Sequence, residues 1–276
     1  LYPEIYGLNI ENIKQKIEDM ILLGHIREEV LRMTTSYPEI YGLSIENMNQ
    51  KTEDMISLGY TKEEVLKMTK NLPVTLGLSI ENIKQKIEDI ISLSYAREEV
   101  LKMTVLLPTL FSVSIGNIKQ KIEDMILLGY TREETIKMSK YFPAIYCYSI
   151  ESMNQKINYI VSLGYTYEEV LEMTKSLPTI YGYSIETIKQ KIDFYDSINM
   201  HQLVIMDPKI LMQSVAVSYA RYQFYLSKGI IIDINNRSKL FVNNKFFEKT
   251  HGITKKELLE KYNYEAYVEE KNARTL

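Results

Sequence analysis

The sequence predicts an all-α solenoid built from stacked units of about 35 residues. Three observations predict it. Pro3, Pro38, Pro73, Pro108, Pro143 and Pro178 are each 35 residues apart, and Pro208 follows after 30. Counting 21 onward from each proline lands on Gly24, Gly59, Ser94, Gly129, Gly164, Asn199 and Gly229. Counting 6 onward lands on Asn9, Ser44, Ser79, Ser114, Ser149, Ser184 and Ser214, residues suited to open a helix.

Each element of a unit has a local cause. Ser44 can cap a helix whose apolar positions Ile45, Met48, Met55 and Ile56 fall on one face. Gly59 supplies the left-handed residue that ends it, and Tyr60 packs back on the last turn. Thr61 then opens a second helix, with Glu64 completing a capping box. Val65, Leu66 and Met68 form its apolar stripe, and Pro73 forbids its continuation. The segment PVTLGL leads to the next cap. Each unit is therefore a long helix, a shorter helix and a proline-started turn.

In the unit that starts at Pro178, Asn199 to Pro208 is 9 residues rather than 14, so its second helix is shortened. FFEKTHGITKKELLEKY (246–262) repeats the junction signals with Gly252, Thr254 and Glu257. It reads as part of a C-terminal cap over about 238–262, followed by a polar tail over 263–276. The organisation expected is a single solenoid over 1–262, with units starting near 3, 38, 73, 108, 143, 178 and 208. IENIKQKIED stands at 10–19 and again at 80–89. MNQK (48–51 and 153–156) and EDMILLG (18–24 and 123–129) each recur 105 residues apart, which points to duplication of a three-repeat block.

Composition excludes several classes. Apolar residues make up 45% and charged residues 25%, enough to bury a core. The longest apolar runs, such as LVIM at 203–206, are far below the roughly 20 residues that span a bilayer. The expectation is a soluble chain with no membrane partner. Cys147 is the only cysteine, so neither an internal disulfide nor a cysteine zinc cluster can form. LYPEIYGL lacks the features of a secretory or transit leader. Because residue 1 is Leu, the natural start is expected upstream, so that lack is uninformative.

Phosphate-binding glycine loops, metal-ligand spacings and nucleophile elbows are all missing. His25 takes the place of Tyr60, Tyr95, Tyr130 and Tyr165 and reads as a packing replacement. Cys147 stands where Gly42, Gly77 and Gly182 do, as a drifted turn residue. Acid pairs such as Glu63–Glu64 recur in every full repeat, unlike a single catalytic site. Neither an enzyme nor a cofactor is expected.

The ordered pattern of Pro, a small apolar cluster, Ser, Glu-Asn, Leu-Gly-Tyr-Thr, Glu-Glu-Val, Met and Pro resembles the mitochondrial transcription termination factor (mTERF) repeat. LPVTLGLSIENIKQKIEDIISLSYAREEVLKM (72–103) carries it almost throughout. ARYQFYLSKGI (220–230) and NNKFFEKTHGITKKELLEKY (243–262) resemble the closing segment of that family. The resemblance implies a right-handed, curved solenoid of two α-helices and a short 3₁₀ turn per unit. It further implies binding of double-stranded DNA or RNA along a concave basic face, in transcription, its termination, or RNA and ribosome metabolism. A eukaryotic member would work in the mitochondrion or plastid, any other in the cytoplasm. The near-identity of these repeats departs from the diverged repeats usual in the family.

Charge tests that implication. The chain has 33 basic and 36 acidic residues, a net of −3, so it is not strongly basic. Residues 200–276 hold 12 basic against 8 acidic residues, leaving 21 against 28 in 1–199. Within 209–256 the balance is 9 against 2. On a helical wheel Ile80, Ile83, Ile87 and Ile90 form the buried stripe, with Lys84 and Lys86 on opposite flanks. Lys16, Lys51, Lys86, Lys121, Lys156, Lys191 and Arg221 share one flank; Lys14, Asn49, Lys84, Lys119, Asn154 and Lys189 share the other.

Two readings of these flanks remain open. They are solvated surface, with helical pairs such as Lys84–Glu88, Lys86–Asp89, Glu63–Lys67 and Glu98–Lys102, or one flank is a ladder along a phosphate backbone. The candidate nucleic-acid-binding residues are Lys14, Lys84, Lys119 and Lys189, with Arg221, Lys228, Arg237, Lys239, Lys245 and Lys249 in the C-terminal part. Tyr6, Tyr41, Tyr146 and Tyr181 share a slot with Leu76 and Phe111, which reads as core rather than as a base-stacking platform. Met33, Met68, Met103, Met138 and Met173 read as core in the same way. The competing function is a protein-interaction scaffold that uses the concave face, favoured by the acidic repeats.

Overall fold

The computed structural model describes residues 9–273, so Pro3, Tyr6 and residues 274–276 lie outside the described residues. Among the described residues there is no strand. The chain divides into two compact units, 1–147 and 148–276.

The N-terminal unit alternates long and shorter helices. They are α1 (Ile10–Leu23), α2 (Arg27–Ser36), α3 (Ile45–Ser57), α4 (Lys62–Asn71), α5 (Ile80–Ile91), α6 (Arg97–Leu106), α7 (Ile115–Leu127) and α8 (Arg132–Tyr141). Short 3₁₀ turns, Pro38–Gly42, Pro73–Gly77, Pro108–Ser112 and Pro143–Cys147, follow each second helix. Proline has no N–H to offer and its φ suits the first position of such a turn. The serines act as the spacing requires: the backbone N–H groups of Asn47, Asn82 and Asn117 donate to the Ser44, Ser79 and Ser114 hydroxyls. Thr61 and Glu64 exchange backbone–side-chain hydrogen bonds of 2.9 and 3.2 Å, the reciprocal box that opens α4.

Helix ends follow the 21-residue count. Gly24, Gly59 and Gly129 adopt positive φ, and Ser94, the non-glycine at that place, is held at φ 80. At Gly59 a Cβ would meet Leu101 Cδ1 at 3.0 Å, so this glycine also admits the neighbouring repeat. First helices α1, α3, α5 and α7 contact each other in series, as do second helices α2, α4, α6 and α8. The result is two layers of helices with the core between them. Ile83, Ile87 and Ile90 are buried there with Met33, Met68, Met103, Leu76 and Phe111.

At Tyr60, Tyr95 and His25 the residue after the helix-ending turn links one repeat to the next. The Tyr60 hydroxyl lies 2.7 Å from Thr104 Oγ1, and the Tyr95 hydroxyl 2.6 Å from Ser139 Oγ. Both links run 44 residues forward. His25 replaces the aromatic as expected: it is buried, with Nε2 3.4 Å from Thr69 Oγ1.

The C-terminal unit opens in the same way with α9 (Ile150–Ser162), α10 (Tyr167–Ser176) and α11 (Ile185–Ser197). The deletion leaves α12 (His201–Met206) at six residues, after Asn199 turns the chain at φ 59. Helix α13 (Val215–Leu226) follows the 3₁₀ turn Pro208–Met212, and its Ser214 makes no side-chain cap hydrogen bond, unlike the other serines. Three short helices, α14 (Ser238–Phe241), α15 (Asn244–His251) and α16 (Lys255–Lys261), come next. Helix α14 and helix α16 pack against α13. Residues within the stretch expected as a tail form α17 (Tyr264–Ala273), which also packs against α13.

Candidate nucleic-acid interface

The two lysine flanks have different fates. On one flank the ammonium groups are spent inside the fold. Lys16, Lys51 and Lys86 donate to the backbone carbonyls of Leu43, Leu78 and Val113. Each acceptor lies 27 residues ahead and directly precedes the serine that caps the next first helix. In the C-terminal unit Lys156 donates to the Tyr181 carbonyl at 2.8 Å and to Ser152 Oγ at 3.1 Å, and Lys191 donates to the Gln213 carbonyl. Burial holds both of these ammonium groups below the usual lysine pKa.

Arg221 continues this flank, and the structure corrects its assignment as a nucleic-acid contact. It is 1% exposed and donates to the Leu240 and Val242 carbonyls at 2.8 and 2.6 Å and to Asn244 Oδ1 at 2.9 Å. Its guanidinium also lies 4.8 Å from the Phe247 ring centre. All of these partners belong to the segment that covers α13, so the fork holds that segment down and has no donor aimed at solvent.

The opposite flank is open. Lys14, Lys84 and Lys119 are exposed, and none of them forms an ion pair among the described residues. Of the helical pairs expected, Lys84–Glu88 on this flank and Lys86–Asp89 on the other are both diverted. Glu88 is taken by Arg97 at 2.8 Å from the following helix, and Asp89 accepts from Gln85 at 2.8 Å. The same Gln-to-Asp bond recurs at Gln15–Asp19, Gln50–Asp54 and Gln120–Asp124. Lys189 differs: it is exposed but pairs with Asp193, whose hydrogen bond raises its pKa.

The C-terminal candidates divide further. Lys228 and Lys239 lie 4.5 and 5.5 Å from the Phe224 and Tyr225 ring centres. Between those rings sits His251, its Nε2 2.8 Å from the Tyr225 hydroxyl. Burial first, then Lys228 and Lys239, hold the His251 imidazole below its ordinary pKa. Three basic groups from three elements thus gather at one place. His251 was missed because, in the sequence, it is only the residue before a helix-ending glycine. Arg237 donates to the Ile234 carbonyl at 2.6 Å and lines a cavity of about 470 Å³ with Asp207, Asn235 and Phe241. Lys245 and Lys249 are exposed on α15.

Among the described residues no group of three His, Cys, Asp or Glu side chains is placed to hold a metal ion. Nor is any described helix long and apolar enough to cross a membrane.

A long helix, a short helix and a 3₁₀ turn, repeated and tied forward by lysine–carbonyl and tyrosine–hydroxyl links, define an all-α helical-repeat solenoid. The mTERF family model matches residues 1–92 and 90–248, and the chain belongs to the mTERF family. A comparison with curated protein sequences found no match.

Proposed function

We propose that this chain binds DNA or RNA through the phosphate backbone and acts in transcription or RNA metabolism by binding rather than catalysis. The observation that carries the reading is the unequal use of the two flanks. One row of lysines fastens repeat to repeat, while Lys14, Lys84 and Lys119 stand exposed without ion pairs in the N-terminal unit. Lys189 with Lys228, Lys239, Lys245 and Lys249 supplies the cations of the C-terminal unit, where fewer acids oppose them. Membership of the mTERF family supports the same reading and favours an organellar setting in a eukaryote. Recurring polar groups at one register, Lys14, Asn49, Lys84 and Lys119, suit contacts that position a backbone and carry no sequence information.

The test is a titration of mixed-sequence duplex DNA and duplex RNA over a range of salt. Counterion release gives a log–log slope of about −0.9 per neutralised phosphate on B-DNA. Absence of binding to either duplex at low salt would overturn the proposal. The acidic excess of residues 1–199 favours a second reading, a scaffold for a protein partner.

A further inference from the structure

The seventh place on the open flank, eleven residues after Pro208, is Tyr219, where the third repeat has Lys84. Solvent does not have this place to itself. The Tyr219 ring stacks on Tyr267 at 4.8 Å between centres and meets Tyr264 at 5.4 Å, and both partners belong to α17. Tyr264 also lies within electrostatic reach of Lys189, Asp193 and Glu186 on α11. Helix α17 therefore crosses α13 toward the sixth place of the same flank, held by Lys189. It brings Glu265, Glu269 and Glu270, all exposed, to the edge of the Lys189 site, which already holds Asp193 and Glu186.

We propose that α17 is an intramolecular competitor, a strap that covers the seventh place of the open flank, borders the sixth, and must lift for nucleic acid to run along both. This rests on the nucleic-acid reading and adds its regulation. The attachment is suited to lifting. Tyr264, Tyr267 and Val268 are only half-buried, and no α17 residue of described exposure is buried, so the helix belongs to the low-stability end of the molecule. Its glutamates repel phosphate while it is docked and leave the flank when it lifts. A ligand that needs the lifted form binds with an affinity reduced by the fraction of molecules in that form.

The test uses the full chain carrying Tyr264→Ser with Tyr267→Ser, beside Tyr264→Phe with Tyr267→Phe, which keeps the ring contacts. Fluorescence anisotropy with mixed-sequence duplex DNA and duplex RNA at low salt gives Kd for each. The serine pair is expected to bind about fivefold or more tightly than the natural chain, and the phenylalanine pair like the natural chain. Hydrogen exchange of residues 264–273 in the natural chain is expected to quicken when duplex is added. Equal affinity of the natural chain and the serine pair, with unchanged exchange, overturns the strap and leaves nucleic-acid binding standing. No binding by any of the three proteins overturns both.

Discussion

Lys156, a residue only 9% exposed, loses in Lys156→Met an ammonium bonded to the Tyr181 carbonyl at 2.8 Å and the Ser152 hydroxyl at 3.1 Å. It also lies 5.4 Å from the Tyr148 ring centre. Methionine keeps the aliphatic stem, so the change isolates the charged donor. A hydrogen bond from a charged group contributes about 1.5–3 kcal/mol, and the stranded carbonyl adds a desolvation cost. Relief from burying a charge offsets part of this, leaving a net loss of about 2 kcal/mol. For a chain of this size that lowers the melting temperature by roughly 4–8 °C. Lys84→Met, on the open flank, changes stability by no more than about 0.5 kcal/mol. In binding the two exchange places: Lys84→Met reduces the salt slope by about one contact, and Lys156→Met leaves it unchanged. Urea unfolding followed by circular dichroism and anisotropy over a salt series supply the two readouts. If Lys84→Met destabilises as much as Lys156→Met, or Lys156→Met costs a unit of salt slope, the division between fastening and binding flanks is wrong.

Ser94→Gly should raise the urea midpoint by the equivalent of about 0.5–1 kcal/mol, because φ 80 strains a residue with a Cβ more than glycine's added freedom costs. Gly59→Ala should lower stability by about 1–3 kcal/mol, since it combines φ 113 with the 3.0 Å approach to Leu101 Cδ1. Burial chiefly lowers the His25 pKa, against the raising pull of Glu29 and with a further lowering by Lys70. As pH falls below about 6.5, the unfolded chain gains a proton there that the folded chain resists, so this contribution to stability is present above that pH and lost below it. His25→Tyr should therefore reduce the loss between pH 8 and pH 5.5 by roughly 0.5–1 kcal/mol relative to the natural chain, measured by denaturation at both pH values. Arg221→Met strands the Val242 carbonyl and Asn244 Oδ1, while Gln213 still donates to the Leu240 carbonyl at 2.7 Å; it should cost about 2–3 kcal/mol, seen first as faster hydrogen exchange over 240–251.

The helices were legible because their boundaries are set by local chemistry. Serine caps, capping boxes and the 21-residue count to a left-handed residue all act within one turn of where they stand, and even Ser94 and Asn199 adopt the conformation that their place demands. The fastening role of Lys51 and Lys86 was not legible, although their recurrence was. Their acceptors are backbone carbonyls 27 residues ahead, and a carbonyl carries no side-chain signature. Arg221 was misassigned for the same reason. The expected pair Lys84–Glu88 gave way because Arg97, on the next helix, reaches Glu88, a contact that depends on how two helices pack. Helix α17 lacked an apolar stripe to betray it. It docks through tyrosine rings, and a stretch rich in glutamate and tyrosine reads as tail. His251 gained meaning only when folding placed it between Phe224 and Tyr225.

Within the N-terminal unit the links of Lys51 and Lys86 reach 27 residues forward, and those of Tyr60 to Thr104 and Tyr95 to Ser139 reach 44. A genetic insertion of one whole 35-residue module leaves every donor facing the kind of acceptor it had before, whereas a gain of 34 or 36 residues would misalign them all. The architecture therefore tolerates growth only in whole modules. That makes duplication of intact blocks an easy route to a longer chain, and it is how IENIKQKIED can stand at both 10–19 and 80–89 without disturbing either neighbourhood.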